Sequence, residues 1–303
     1  MNANKKFLIF ALTAVVTMIM ISSVLIFVPG FTQKKDKQIE KKSVKPGDSI
    51  TTGKLPKNDT TLLVDNRKVF IKTCRQKKKG TFLLLHGWNL PAEDWCNKTE
   101  LCSKVIEQGY CVVMPDMGKS VYQEKDYPET RTDWRSEPTR SWLSDTLIPM
   151  LQKKYSLLLN TENNYIVGLS TGARGVALVL LDFPELFKGA AALSGDYNQL
   201  TLPTDYLTTA YYGPITKFKD RWEKPDNPIM RIKEFKTPIY LGHGKLDKVV
   251  PPEQTVMFYD SLKKNHPALK IILNMPDAKH DYVYWGSEVD NFLKFFGILK
   301  KEN

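Results

Sequence analysis

The sequence predicts an α/β protein in which helices cover both faces of a mostly parallel central sheet. Apolar strand segments alternate with helical segments from residue 61 to the end of the chain. The segments TFLLLHG (81–87), YCVVMPD (110–116) and NYIVGLS (164–170) are almost continuous apolar runs. Such runs are typical of strands that are buried on both faces of a parallel sheet. No internal repeat is present, which argues against a solenoid.

The remaining elements follow in the same alternating order. TTLLVD (60–65) and VFIKTC (69–74) are predicted to form a hairpin around Asn66, Arg67 and Lys68. The other predicted strands are KGAAALSGDY (188–197), TPIYLGHG (237–244) and LKIILNM (269–275). The predicted helices are CSKVIEQG (102–109), WLSDTLIPMLQKKY (142–155), PEQTVMFYDSLKKN (252–265), EVDNFLKFFGIL (288–299) and one in TGARGVALVLLDFPELF (171–187) that closes near Pro184.

Two segments of different composition precede this domain. Residues 7–28 contain no charged side chain over 22 residues, which is long enough for a helix that spans a bilayer. We expect residues 1–33 to be an uncleaved membrane anchor, and a signal segment cleaved near Val28-Pro29-Gly30 is the alternative. Residues 34–60 are rich in lysine and poor in large apolar residues, which is typical of a flexible linker. The predicted catalytic domain is residues 61–303.

The lysines that flank the apolar segment support opposite orientations. Lys5 and Lys6 precede it, as in an export signal. Six lysines between residues 34 and 45 follow it, and the positive-inside rule favours the cytoplasm for them. We expect export, with the domain anchored outside the cytoplasm in a periplasmic or extracellular position; secretion after signal cleavage is the alternative.

The charge distribution argues against nucleic-acid binding. The net charge of the chain is +11, but residues 61–303 carry 34 basic and 29 acidic side chains. More than half of the excess therefore lies outside the predicted domain, and no nucleic-acid-binding motif accompanies it.

The cysteines are even in number and clustered, which suits an oxidising compartment. They are Cys74, Cys96, Cys102 and Cys111. Cys96 and Cys102 flank the start of a short helix, so we expect a disulfide between them. Cys74 and Cys111 fall in neighbouring strands and are predicted to form a second disulfide, or to be small buried thiols. Their spacing matches no common zinc site.

A serine between two glycines is the candidate nucleophile. Ser170 stands in GLSTG (168–172), between a buried strand and a helix. A sharp turn there exposes the Oγ atom of the serine at the carboxyl edge of the sheet. Gly168 and Gly172 permit the strand and the helix to approach closely. A structural turn is the alternative interpretation of so short a motif.

Elimination among four histidines favours one base. His86 ends a strand, which suits a structural or oxyanion-loop role, and His266 lies in a polar turn among lysines. The chain order Ser, Asp, His that is expected for this type of sheet favours His280, and His243 is the alternative. The acid is expected to be Asp247 in GHGKLDKVVPP (242–252), where it can orient the base.

Other candidate groups surround this triad. Asp196 in LSGDYN (193–198) is the alternative acid. The backbone N–H groups of Thr171 and Trp88 are the predicted oxyanion-hole donors, with Asn89 next in line. Two aromatic-rich stretches, 121–142 and 205–222, are expected to wall the site, with arginines in the first that could hold an anion. Packing of these two loops onto the domain is the alternative.

Four motifs together resemble the α/β-hydrolase superfamily: HGW after a buried strand, GLSTGARG, GHGKLDKVVPPEQ and AKHDYVYW. DTLIPMLQKKY, FPELFKGAAALSGDY and KHDYVYW…FLKFF resemble the branch that includes esterase D and feruloyl esterases. The resemblance covers residues 70–300 and implies Ser170, Asp247 and His280 as the triad. That branch usually has Met-Gly-Gly after the serine. Thr171-Gly172-Ala173 replaces it here, which implies a different acyl pocket.

These expectations combine into a serine hydrolase that cleaves a carboxylic ester through an acyl-enzyme intermediate. The expected substrate is a small-molecule or carbohydrate-linked ester, and neither a metal ion nor an organic cofactor is expected. An acyltransferase with the same triad is one alternative, and a non-catalytic binding module on the same scaffold is another.

Overall fold

The computed structural model describes residues 53–223 and 225–300. The predicted membrane anchor and most of the predicted linker lie outside these residues. Eight strands form one sheet with the order β1-β2-β4-β3-β5-β6-β7-β8. The strands are β1 (Thr60–Val64), β2 (Arg67–Lys72), β3 (Gly80–Leu85), β4 (Tyr110–Pro115), β5 (Asn164–Leu169), β6 (Phe187–Leu193), β7 (Ile239–Gly242) and β8 (Ile271–Asn274).

The sheet is antiparallel at one edge and parallel elsewhere. β2 pairs antiparallel with both β1 and β4, and every other neighbouring pair is parallel. The predicted hairpin is confirmed, since Asp65 and Asn66 have φ angles of 49° and 63° between β1 and β2. Two successive positive φ angles are typical of the tight turns whose twist matches that of the paired strands.

All the predicted helices are present, together with several short ones that were not predicted. The helices are α1 (Asp94–Asn97), α2 (Leu101–Glu107), α3 (Arg140–Trp142), α4 (Ile148–Tyr155), α5 (Thr171–Asp182), α6 (Tyr206–Tyr212), α7 (Ile215–Glu223), α8 (Glu253–Asn265), α9 (Tyr282–Ser287) and α10 (Val289–Phe295). A π-helical turn at Leu143–Leu147 joins α3 to α4. Helical turns of the 3-10 type occur at Thr132–Trp134, Gln199–Thr201 and Pro228–Glu234.

Strand periodicity divides the core between the two faces of the sheet. Leu83 and Leu85 of β3 belong to one apolar cluster, which also contains residues of α4, α5 and α8. Phe82 and Leu84 of the same strand belong to a second cluster with residues of α2, α9 and α10. Because alternate side chains of a strand point to opposite faces, each apolar strand supplies both clusters. The predicted α/β class with helices on both faces is therefore confirmed. Among the described residues, no helix combines the length and apolarity needed to cross a membrane.

The two aromatic-rich stretches form a third, smaller apolar cluster that packs together rather than lining the site throughout. Trp134 from the first stretch contacts Tyr211 from the second, with ring centroids 5.5 Å apart, and Trp88 packs edge-on against Trp134 at 4.5 Å. The arginines of the first stretch are engaged within the protein. Arg140 is buried and its Nε lies 2.9 Å from an Asp182 oxygen. The packing alternative therefore describes most of these residues.

One of the two predicted disulfides is present. Cys96 and Cys102 are bonded, with Cα atoms 5.1 Å apart. The expected bond between Cys74 and Cys111 is absent, although their sulfur atoms are 2.7 Å apart. Burial raises the pKa of the Cys111 thiol to about 12, which keeps it protonated.

We expect iodoacetamide to label only Cys74 and Cys111 when the protein is denatured without reductant. Peptide mapping by mass spectrometry identifies the labelled residues, and labelling of all four cysteines would contradict the disulfide.

Replacing Cys96 and Cys102 together by serine should lower the unfolding free energy by about 2 kcal/mol, because the bond restricts the unfolded chain. Replacing Cys74 by serine is the matched control for loss of a thiol.

Candidate active site

A strained turn places Ser170 between β5 and α5. The φ and ψ angles of Ser170 are 54° and −128°, and its N–H donates to the carbonyl of Leu193, 2.9 Å away. A Cβ atom on Gly168 would lie 2.3 Å from the carbonyl oxygen of Gly172. A Cβ atom on Gly172 would lie 2.5 Å from the carbonyl oxygen of Leu85. Only glycine at both positions allows α5 to start this close to β3 and β5.

His280 lies in the loop after β8 and faces the serine. Its Nε2 is 3.0 Å from Ser170 Oγ, and its Nδ1 is 2.6 Å from Asp247 Oδ2. The ring packs edge-on against Trp285 of α9, with centroids 5.0 Å apart. The three residues thus form one hydrogen-bonded path from a hydroxyl through an imidazole to a carboxylate, which is the arrangement that activates a serine as a nucleophile.

Asp247 occupies the loop after β7 and is buried. Its Oδ1 accepts the N–H groups of Val249 and Val250 at 2.7 and 3.0 Å. Burial by itself would raise the pKa of this carboxyl, but hydrogen bonds from His243, His280 and the two backbone groups lower it well below its usual range. The carboxylate is therefore ionised at any pH at which an imidazole base works.

Asp196, the alternative acid, is paired elsewhere. Arg174 of α5 donates from Nη1 to Asp196 Oδ2 at 2.9 Å. This arginine is almost completely buried, and its Nη2 also donates to the carbonyl of Asp226 at 2.7 Å. Asp196 therefore neutralises a buried guanidinium, and the Nδ1 atom of His280 faces Asp247 instead.

The alternative base, His243, is bonded to the acid rather than to the serine. Its side chain is fully buried, and its Nε2 lies 3.1 Å from Asp247 Oδ2. Its Nδ1 lies 2.6 Å from the hydroxyl of Thr255. Sequence reasoning considered His243 as a base and missed this contact. Its spacing of four residues from Asp247 in GHGKLD was the available signal.

His86 supports the loop that follows β3. Its Nε2 accepts the N–H of Met117 at 2.7 Å, so its Nδ1 carries the proton and donates to the carbonyl of Gly87 at 2.6 Å. Burial lowers the pKa of His86 and keeps the ring neutral. The loop therefore holds Gly87 and Trp88 against the Ser170 turn, where a Cβ atom on Gly87 would lie 2.9 Å from the serine Cβ.

Two backbone donors remain open beside the serine. Thr171 is the first residue of α5, so its N–H has no partner within the helix. The N–H of Trp88 makes no hydrogen bond within the described residues, whereas that of Asn89 donates to the carbonyl of Gly118 at 2.9 Å. Thr171 and Trp88 line the same cavity as Ser170. Asn89 is therefore engaged, and the two predicted donors are available to an oxyanion.

The cavity above Ser170 has a volume of about 750 Å³. Its apolar lining comes from the loops after β3, β4, β6 and β7 and from helices α6 and α9. These residues are Trp88, Leu90, Val121, Leu202, Leu207, Val249, Val250, Pro251, Tyr282 and Trp285. The one lysine among its lining residues, Lys98, is paired with Asp94 at 2.8 Å. Large apolar walls around a few polar groups are typical of a small-molecule site.

Comparison with known proteins identifies the scaffold. The fluorophosphonate-binding serine hydrolase FphF of Staphylococcus aureus superposes with a TM-score of 0.62 and 17% identity, over 80% of this chain and 98% of that one. An S-formylglutathione hydrolase of Agrobacterium tumefaciens superposes with a TM-score of 0.64 and 15% identity, over 78% of this chain and 93% of that one. A ferulic acid esterase superposes with a TM-score of 0.57 and 18% identity, over 80% of this chain and 97% of that one. These likenesses establish the α/β-hydrolase fold implied by the sequence motifs.

Two sequence comparisons identify the family to which the chain belongs. A poly(3-hydroxyoctanoate) depolymerase of Pseudomonas fluorescens is 22% identical over 188 residues, which are 61% of this chain and 59% of that protein. The model of the prolyl oligopeptidase family matches residues 100–301, about two thirds of the chain. The prediction of a serine hydrolase is confirmed at the level of family. The chain belongs to the prolyl oligopeptidase family, a family of serine hydrolases within the α/β-hydrolase superfamily.

Proposed function

We propose that this protein hydrolyses a carboxylic ester, with Ser170 as nucleophile, His280 as general base and Asp247 as the acid that orients the base. The observation that carries the proposal is the hydrogen-bonded path from Ser170 Oγ to His280 and on to Asp247. The esterases among the similar structures support ester chemistry on this scaffold.

The proposed reaction has two halves. In the first, Ser170 Oγ attacks the ester carbonyl carbon as its proton passes to His280 Nε2, and the N–H groups of Thr171 and Trp88 bind the developing oxyanion. The tetrahedral intermediate collapses, and the alcohol leaves with the proton from His280. In the second half, water loses a proton to His280 and attacks the acyl-enzyme. The bond between the acyl carbon and Ser170 Oγ then breaks as His280 returns the proton to Oγ, which releases the carboxylic acid and restores Ser170.

Hydrolysis of a peptide bond is the second candidate, because the matching family model is named for prolyl oligopeptidase. The same groups could attack an amide. A p-nitrophenyl ester and a proline p-nitroanilide, assayed with one preparation, distinguish the two. Because an activated ester is intrinsically easier to cleave than an anilide, turnover of the anilide is the diagnostic result. We expect hydrolysis of the ester alone, and measurable hydrolysis of the anilide would replace esterase by peptidase.

Replacing Ser170 by alanine should lower kcat by at least about 10⁴-fold, because the nucleophile is lost. His280→Ala should cost about as much, and the double variant little more, since the two residues act as a unit. Ester hydrolysis and labelling with a fluorophosphonate report both effects. Full activity of His280→Ala would show that the triad is wrong.

The two candidate acids can be separated with matched amide variants. Asp247→Asn should lower kcat on the order of 10³- to 10⁴-fold, because the acid no longer fixes and stabilises the imidazolium. Asp196→Asn should keep kcat within about tenfold, because Asp196 is paired with Arg174. Circular dichroism checks that both variants fold. An inactive Asp196→Asn beside an active Asp247→Asn would reverse the assignment.

The apolar lining of the cavity favours esters with a lipophilic acyl group. With p-nitrophenyl esters from acetate to octanoate, kcat/KM should rise roughly threefold to fourfold for each added methylene group that becomes buried. Leu202→Asn, in the cavity lining, should reduce the octanoate-to-acetate ratio. Leu63→Asn changes an exposed residue of β1 and should leave the ratio unchanged. A rate that falls steadily from acetate onwards would contradict an acyl site here.

We also propose that residues 1–33 anchor the protein in a membrane, residues 34–60 form a tether, and residues 61–303 act outside the cytoplasm. The 22-residue uncharged segment supports the anchor. The disulfide between Cys96 and Cys102 supports an oxidising compartment. A secreted form, produced by cleavage of the signal, remains the alternative.

Reporter fusions after residue 60 test this topology. We expect alkaline phosphatase, which needs export, to be active in the membrane fraction, and a cytoplasmic fluorescent reporter to be dark. Activity in the culture medium would favour the cleaved form. Fluorescence without phosphatase activity would place the domain in the cytoplasm, as the lysines that follow the segment would allow.

A further inference from the structure

We infer that His243 is a positioning residue for the reaction, because its imidazole holds the same oxygen of Asp247 that receives the N–H of His280. The inference rests on the proposed function, since a partner of the acid matters to catalysis only if the acid does. His243 directly follows β7, and its backbone N–H donates to the carbonyl of Asn274 at 3.0 Å, so the extended main chain carries the ring to the sheet edge.

Hydrogen bonding defines which nitrogen of His243 carries the proton. Nε2 lies 3.1 Å from Asp247 Oδ2 and also 3.1 Å from the carbonyl oxygen of Val250. Both are acceptors at neutral pH, so Nε2 must donate. Nδ1 lies 2.6 Å from the hydroxyl of Thr255, which can donate to it. The surroundings therefore place a proton on Nε2.

The proton on Nε2 completes the hydrogen bonding of the acid. Oδ1 of Asp247 accepts two backbone N–H groups, from Val249 and Val250. Oδ2 accepts an N–H from each of two imidazoles, His243 at 3.1 Å and His280 at 2.6 Å. With four donors the carboxylate cannot rotate without breaking bonds. The orientation of His280 toward Ser170 therefore depends on His243 through a shared oxygen.

The hydrogen bond from His243 also stabilises the negative charge on the Asp247 carboxylate. Each donor stabilises the carboxylate anion and reduces the attraction that remains for a proton on His280. Tyr284 of α9 also interacts with Asp247 electrostatically, and burial raises the pKa of its phenol. Lys245 and Lys248, in the same loop, are exposed. Loss of the His243 donor should therefore strengthen the pull of Asp247 on the His280 proton.

A pair of substitutions separates this role from simple packing. His243→Leu keeps much of the volume and removes the donor, whereas His243→Gln retains an N–H. We expect His243→Leu to lower kcat for a p-nitrophenyl ester about tenfold or more with little change in KM, and to move the acid limb of the kcat/KM profile to higher pH. His243→Gln should recover most of the rate and bring the acid limb back toward its original position.

The possible outcomes are distinct. If both variants lose kcat equally and the acid limb of the kcat/KM profile does not move, His243 has only a structural role and the inference is wrong. Wild-type rates in His243→Leu would overturn the inference and leave the triad intact. A wild-type enzyme without ester hydrolysis would instead contradict the proposed function. Leu63→Asn, a change on the exposed side of β1, is the control for purification and storage.

A measurement on the wild type keeps the inference testable if His243→Leu does not fold. Nitrogen-15 NMR of histidine-labelled full-length protein distinguishes a protonated from a bare ring nitrogen. At pH 7.5 we expect His243 to show a protonated Nε2, with the signal assigned by its loss in His243→Gln. A bare Nε2 would face two acceptors, Asp247 Oδ2 and the carbonyl of Val250, without a hydrogen bond and would overturn the inference.

Discussion

The site depends first on the close contact between β5, β3 and the start of α5. Ser170 can hold its unusual backbone conformation, which costs on the order of 1–3 kcal/mol, only because the surrounding structure compensates for it. The compensation comes from the Ser170 N–H bond to Leu193 and from the burial of α5 in the core. Side chains at Gly168 or Gly172 would clash with neighbouring backbone and push the helix away. The position of the nucleophile is thus a consequence of backbone packing.

The acid and the base are brought together by a second backbone constraint. The loops after β7 and β8 are joined by hydrogen bonds from the N–H of Lys245 to the carbonyl of Pro276 and from the N–H of Leu246 to that of Ala278. Since β7 and β8 are parallel neighbours, both loops leave the sheet at the same edge. Two loops tied in this way keep the backbones of Asp247 and His280 in register, and the side-chain hydrogen bonds then orient the imidazole.

Buried charge organises the region beside the nucleophile. Arg174, one helical turn after Ser170, is bound by Asp196, by the carbonyl of Asp226 and by the hydroxyl of Tyr212. A guanidinium that is buried away from water is tolerated only when it is paired with a negative charge and hydrogen-bonded. The network therefore attaches the segment between β6 and β7 to the helix that carries the serine, and it removes Asp196 from competition for His280.

The sequence by itself determined the alternation of strands and helices, the parallel class of the sheet and the turn that carries Ser170. These features depend on apolar periodicity and on glycine, which act over a few neighbouring residues. The short helices α6 and α7 escaped prediction, because the stretch that contains them was interpreted only as an aromatic-rich wall of the site. Elimination and chain order also singled out His280 and Asp247 as candidates. Only the tertiary structure decided that Asp196 pairs with Arg174, that Cys74 and Cys111 are unbonded, and that His243 bonds the acid. Each of these depends on which distant groups share a buried space, and local sequence carries no record of that.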